Sequence, residues 1–137
     1  MGHPLSLRLT DITVRRLGSR ARRVRLPPRT LAQRYVEEGL RMDEHPLVRF
    51  HDGPGGRRAA LLGTGLDVAE MITTIRDNGS NVRKTARYLE IPLAAVQAAV
   101  AYYGAYRAEI DEQIALAVEE ANDAQAAWVA GQAALAK

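Results

Sequence analysis

Residues 5–10 alternate between apolar and polar side chains with the period of a β-strand. Leucine stands at positions 5, 7 and 9, and Ser6, Arg8 and Thr10 occupy the positions next to them. Because successive side chains of a strand point to opposite faces, one face of this segment is apolar and the other is polar. So short a strand is not stable alone. The pattern therefore predicts a strand over residues 5–10 that pairs with a partner and buries its leucines.

Two helices are predicted directly after this strand. Apolar residues recur at helical spacing between Ile12 and Val24, and either Thr10 or Asp11 can cap the first helix. The second helix is predicted over residues 28–42, since proline is favoured in a first helical turn and the chain meets another proline at position 46.

This order of one strand and two helices resembles the ribbon-helix-helix DNA-binding domain over about residues 4–42. The resemblance implies an intertwined homodimer whose two strands pair antiparallel and enter the DNA major groove, where all four base pairs can be distinguished. By position, the outward residues that would contact bases are Ser6, Arg8 and Thr10, with Arg8 the strongest candidate.

In such domains the amino terminus of the second helix binds a phosphate. Here that position is occupied by Arg29 and Thr30. Free amide groups and the helix dipole make a helix start favourable for anions. We therefore expect Arg29 and Thr30 to contact the DNA backbone.

The charge distribution bears on this interpretation, because alternating leucines alone are more often an ordinary half-buried strand. Residues 1–36 contain nine arginines, no lysine and one acid, Asp11, so nine minus one gives +8, whereas the whole chain carries +3. Arginine binds phosphate and guanine in a planar, two-pronged geometry. A GC-rich coding bias would also favour arginine. The charge nevertheless favours nucleic-acid binding.

A β-hairpin is predicted next, because two apolar runs flank the turn-forming residues 52–56 (Asp-Gly-Pro-Gly-Gly). Near its tip, Arg57 and Arg58 could contact DNA backbone as a wing does, or could be edge-strand charges that prevent aggregation, and the second interpretation is slightly favoured. A helix is predicted over residues 67–77, closed by Asn78 and Gly79.

From Ser80 the chain resembles a helix-turn-helix. Ser80 is predicted to cap the first helix, and Ala86, Ile91 and Val96 occupy positions where this motif needs small or apolar residues. Glu90 stands where glycine is usual. In the would-be recognition helix, Gln97 is the only side chain that can hydrogen-bond to a base edge. We therefore interpret the motif as a structural or dimerising core.

Any DNA contact of this helix pair is expected to come from the preceding helix. Its cations are Arg83, Lys84 and Arg87, and they would contact phosphates and not bases.

Residues 46–112 also resemble a small domain that accompanies bacterial antitoxins. The matching segments are His45 with Pro46, residues 56–59 of the hairpin, the helix start at Asp67, and residues 102–111 (YYGAYRAEID). The resemblance implies a VapB-like antitoxin. Its amino-terminal part would repress its own operon, and its carboxy-terminal part would hold a toxin with a PIN-type ribonuclease fold.

The carboxy-terminal segment is acidic and rich in alanine. Residues 107–137 hold six acids against Arg107 and Lys137, a local charge of −4. Alanine is the best helix former, and Ile114, Val118 and Trp128 recur on one stripe at coiled-coil spacing. We expect these three residues to bind a partner. The helix could instead pack back on its own dimer or fray, and an alanine-rich helix that completes a helical core is an equal alternative. Few cations are available for insertion into the acidic metal site of a nuclease.

Other functions find little support in the composition. The chain has no cysteine, and His3, His45 and His51 are scattered without metal-ligand spacing. We expect no enzyme activity, no metal site and no cofactor. No segment resembles a membrane span or a signal peptide, so we expect a soluble, cytoplasmic protein associated with the nucleoid.

Together these patterns predict a mainly α fold with three parts. They are a ribbon-helix-helix domain (residues 1–45), a hairpin and helix-turn-helix-like domain (46–112), and a long carboxy-terminal helix (113–137). The expected function is that of a type II antitoxin that binds double-stranded operator DNA, itself and a PIN-type toxin. The main alternative is a plain dimeric transcriptional regulator, and a weaker one is a helical adaptor whose basic end binds RNA.

Overall fold

The computed structural model describes residues 2–53 and 55–137, which form six helices and one antiparallel β-hairpin. This order confirms the mainly α class, the hairpin and the long carboxy-terminal helix. The chain divides into two compact units, the first ending at Asp43 and the second spanning Glu44–Lys137. The elements are α1 (Asp11–Val24), α2 (Pro28–Glu44), β1 (Val48–Gly53), β2 (Gly56–Leu61), α3 (Val68–Asp77), α4 (Val82–Leu89), α5 (Leu93–Ala105) and α6 (Arg107–Leu135).

The first unit consists of α1, α2 and the segment before them. Thr10 caps α1, because its hydroxyl accepts a hydrogen bond from the Thr13 amide at 3.3 Å. Arg25 ends the helix in the left-handed conformation (φ 57°), and the amide of Leu26 then donates to the Ala21 carbonyl at 3.0 Å. Pro28 begins α2 where the sequence predicts it.

The predicted strand is not formed in the single chain. Residues 2–10 have no regular secondary structure. A β-strand exists only through hydrogen bonds to a neighbouring strand, and in the predicted ribbon that neighbour is a second copy of the chain. The strand and the ribbon therefore stay predictions for the paired state.

The second unit begins with the hairpin. Its register pairs Val48 with Leu61 and His51 with Arg58. Val48, Ala59 and Leu61 are buried, so one face of the hairpin packs against the core. The turn falls within residues 52–56 as predicted, although Pro54 lies outside the described residues.

Helices α3 and α5 pack on this hairpin. Helix α3 contacts β2, α5 and α6, and α4 packs against α5. The cap of α4 corrects the sequence prediction: Asn81, not Ser80, accepts from the Lys84 amide at 2.9 Å. Ser80 has a φ of 59°, within the left-handed turn after α3, whereas an N-cap residue needs extended backbone. The largest buried side chains of this core are Tyr102, Leu61, Met71, Ile110, Val48, Val68 and Val96.

Helix α6 begins after a break at Tyr106 and is 29 residues long. Its first turns belong to the core, since Ile110 is fully buried and Ile114 packs against the buried cluster. From residue 115 onward every residue is exposed. The helix runs unbroken through residue 113, where the sequence prediction placed a boundary. In the part of the chain that the structure describes, no helix is both long and apolar enough to cross a membrane.

Candidate functional site

The first unit buries very little of its apolar surface. Among its described residues, only Ala21 and Leu31 are buried. Leu5 is 77% exposed and Leu7 is 59% exposed, and six further large apolar residues are also exposed. Large exposed apolar surfaces on soluble proteins often mark interaction sites. We name this set of residues the N-terminal apolar face; its members are Leu5, Leu7, Leu9, Ile12, Val14, Tyr35, Val36 and Leu40.

Part of this face surrounds a cavity of about 400 Å³. Leu7 and Leu9 form one side, and Leu17 and Tyr35, from α1 and α2, form the other. Leu7 and Leu9 of the predicted strand therefore line the same cavity as apolar residues of both helices. The alternating pattern predicts that Leu5, Leu7 and Leu9 are buried, whereas all three are exposed in the single chain. Their burial stays a prediction for the paired state.

The predicted DNA-contacting residues are accessible. Ser6, Arg8, Arg29 and Thr30 are all exposed. Arg29 and Thr30 lie in the first turn of α2, and this turn contains no acidic residue. Thr10 is different, because its hydroxyl caps α1 and lies 2.8 Å from the Thr13 hydroxyl. The Thr10 side chain therefore caps α1 in the single chain, a role for which the sequence offered either Thr10 or Asp11.

Nearly all of the arginines of this unit face solvent. Of the nine arginines up to residue 36, eight are exposed and Arg34 is half-buried. Within the described residues, none of the nine forms an ion pair with an acid. Since their charge is not neutralised inside the protein, it is available to a polyanion.

A turn of three residues, 90–92, joins α4 to α5. Glu90 adopts the left-handed conformation (φ 57°), and the Ile91 amide donates to the Ala86 carbonyl at 3.1 Å. Ala86 and Val96 are buried where the two helices meet. Gln97 is exposed, and the exposed residues beside it on α5 are mostly alanine and valine. Glu90 thus has the left-handed backbone conformation at the position where the helix-turn-helix motif usually has glycine.

A cluster of charged groups joins the hairpin to α3. Asp67 accepts from Arg58 Nε at 3.1 Å, and its second oxygen lies 2.7 Å from His51 Nε2. Asp67 is the N-cap residue of α3, yet its carboxylate makes these two contacts and no capping hydrogen bond. The hydrogen bond to Asp67 raises the pKa of His51, and the Asp52 carbonyl raises it further. Arg58 is therefore part of an internal ion pair, with only 16% of its side chain exposed.

This cluster was missed by the sequence analysis, which treated His51 as isolated. His51 and Asp67 are sixteen residues apart, so no local spacing connects them. The register of the hairpin was the available signal, because it places His51 opposite Arg58.

A second polar cluster fixes the start of α6. The Tyr103 hydroxyl lies 2.6 Å from an Asp111 oxygen and accepts from Arg76 at 2.8 Å. Beside it, Tyr102 is fully buried and lies in edge-to-face contact with His45 and Phe50. The segment 102–111, singled out by its resemblance to the antitoxin-associated domain, thus forms the joint between α5 and α6.

The three predicted partner-binding residues of α6 fall in two environments. Ile114 packs against the core of its own unit. Val118 and Trp128 are 55% and 62% exposed, and Val129 beside Trp128 is exposed as well. The only tryptophan of the chain therefore stands on a solvent-facing stretch of helix.

Comparison of the chain with protein-family models, with curated proteins and with solved structures gives no match.

Proposed function

We propose that this protein is a dimeric DNA-binding antitoxin. Its first unit binds double-stranded operator DNA and represses the operon, and its last helix binds a toxin of PIN-type ribonuclease fold. The proposal rests on the opposite character of the two ends of the chain. One end combines unpaired arginines with an uncovered apolar face, and the other is an acidic, solvent-facing helix.

The observation that carries the DNA-binding half is the N-terminal apolar face. A unit of about forty residues that buries two side chains cannot account for its own stability, because domains this small need additional surface to bury. A second copy supplies that surface and pairs the strand over residues 5–10 at the same time. Pairing would place Arg8 of both copies on one side of a two-stranded ribbon, which is an arrangement that fits the major groove.

The toxin-binding half is supported by the exposed part of α6. Its apolar residues include Val118, Trp128 and Val129, and all lie beyond the core of the second unit. A helix with an apolar stripe commonly docks into a groove of its partner, and tryptophan is among the residues that contribute most to such contacts. Binding the toxin would give this stretch the packing that its own chain does not provide.

The DNA-binding proposal is tested on duplex DNA from upstream of the gene, by fluorescence anisotropy over a range of salt concentrations. Arg8→Ala should remove the preference for this DNA over a duplex of arbitrary sequence. Arg29→Ala should weaken binding to both and flatten the slope of log K against log [salt] by about 1, as expected for one lost phosphate contact.

Gln97→Ala is the matched control, because Gln97 is also an exposed polar residue, on the helix that a conventional helix-turn-helix would use. It should leave both affinities unchanged. Loss of sequence preference in Gln97→Ala with full preference in Arg8→Ala would overturn the assignment of the reading element.

A further inference from the structure

One side of α4 carries a group of cations together with an exposed tyrosine. We name Arg83, Lys84, Arg87 and Tyr88 the α4 basic face. At 3.6 residues per turn these four residues lie on one side of the helix, and the buried Thr85 and Ala86 lie on the other. All four members are exposed, and Tyr88 is 70% exposed. The helix Val82–Leu89 contains no acid.

The other arginines of the second unit are engaged within the protein. Arg57 pairs with Asp52 at 3.3 Å, and Arg76 and Arg107 approach Asp111 at 3.8 and 3.5 Å. Arg58 pairs with Asp67, and Arg49 donates to the Pro46 carbonyl at 2.9 Å.

The cations of α4 differ from these arginines. Within the described part of the unit, Arg83, Lys84 and Arg87 have no ion pair and no side-chain hydrogen bond. Glu90 is the one acid that lines the groove beside Arg83 and Arg87. The face therefore keeps a net positive charge, on a helix whose opposite side is fixed in the core.

We propose that the α4 basic face binds the phosphate backbone of double-stranded DNA, in addition to the DNA contact proposed for the first unit. The proposal rests on the proposed DNA-binding function, because it is this function that selects DNA among polyanions. Guanidinium groups bind phosphate oxygens through parallel hydrogen bonds, and exposed tyrosine hydroxyls also donate to phosphates.

This contact carries no sequence information. Base reading from a helix-turn-helix would come from α5, whose exposed positions Ala94, Val100 and Ala101 offer no donor or acceptor side chain. Phosphate contacts position a protein on DNA without distinguishing bases. The second unit would thus add affinity, and the first unit would supply the sequence preference.

The test uses the full chain and a duplex of arbitrary sequence, with affinity measured by fluorescence anisotropy between 50 and 300 mM salt. The variant is Arg83→Gln with Arg87→Gln. Loss of two phosphate contacts should flatten the salt slope by about 1.8 and weaken binding on the order of 10- to 100-fold near 0.1 M salt. The matched control is Arg107→Gln with Lys137→Gln, which removes the same charge from exposed positions elsewhere and should change the slope little.

A second pair of substitutions separates this proposal from the proposed function. Arg8→Ala with Arg29→Ala should remove sequence preference and leave a salt-dependent affinity that the α4 variant then abolishes. If the wild type prefers its own upstream DNA and the α4 variant keeps the full slope, the α4 contact is refuted and the proposed function stands.

In the converse outcome, the α4 variant has a flatter salt dependence of DNA affinity, while Arg8→Ala with Arg29→Ala binds DNA as the wild type does. The proposal that the first unit reads the DNA sequence is then refuted, and the α4 contact stands. An α4 variant that keeps its DNA affinity and loses self-association would assign the face to an acidic protein surface, such as the α6 of another copy. That outcome would also overturn the proposal. Circular dichroism melts of each variant, expected to match the wild type, show that the changes are not effects of unfolding.

Discussion

Removal of the exposed part of α6 should leave the rest of the protein as stable as before. The perturbation is a truncation after Ala117, which deletes residues 118–137. Every deleted residue is exposed, so no apolar area is lost from the core. At about 25 cal/mol per Å² of buried apolar surface, the expected loss in the free energy of unfolding is under about 1 kcal/mol.

The contrasting variant is Ile110→Ala, seven residues before the truncation point. Ile110 is fully buried, and removing such a side chain costs about 2–5 kcal/mol. In a unit of this size 1 kcal/mol corresponds to roughly 4–8 °C in Tm. The truncation should therefore lower Tm by at most a few degrees, whereas Ile110→Ala should lower it by about 10 °C or more.

The assay is differential scanning calorimetry of wild type, truncation and Ile110→Ala, without any partner and at one protein concentration. The comparison separates a free helix from one that packs on a second copy. A truncated chain that melts as low as Ile110→Ala would show that residues 118–137 are part of a dimer core. The exposed helix would then not be a toxin-binding segment, and the alternative of a plain dimeric regulator would gain support.

Two further predictions concern the apolar face and the histidine. Leu7→Glu places a charge on the N-terminal apolar face and should convert a dimer to a monomer in light scattering at micromolar concentration; equal masses for the variant and the wild type would contradict this. The raised pKa of His51 means that its pairing with Asp67 contributes stability that is fully present below the ordinary value of 6.5 and is lost as the pH rises through the higher value in the folded chain. The free energy of unfolding should therefore fall as the pH rises above 6.5, and His51→Gln should show a smaller fall; identical pH profiles would exclude the contribution.

The sequence predicts the helical part of the fold well because the relevant signals are local. Ala86 and Val96 occupy the places that a tight helix pair requires, and the structure buries both. The prediction that Ser80 caps α4 was wrong, because serine and asparagine are equally good caps. Only the backbone conformation distinguishes Ser80 from Asn81.

The candidate sites were harder to predict, since they depend on distant or external groups. The contact of His51 with Asp67 needs the hairpin to bring two residues together from sixteen positions apart. Residues 5–10 have no regular secondary structure in the single chain, so the strand that their alternating pattern predicts, which would need a second chain as its partner, stays a prediction. The unpaired state of the α4 cations became visible only once the partners of the other arginines were known.

The most direct test of the antitoxin proposal is to co-express the full chain, and separately the chain truncated after Ala117, with the product of the gene beside its own. Each is then purified through a tag on this chain, and the complex is measured by light scattering. We expect a stoichiometric complex with the full chain and none with the truncated chain, while both chains bind the upstream DNA. A neighbouring protein that binds neither chain, or that binds both equally, would contradict the proposal.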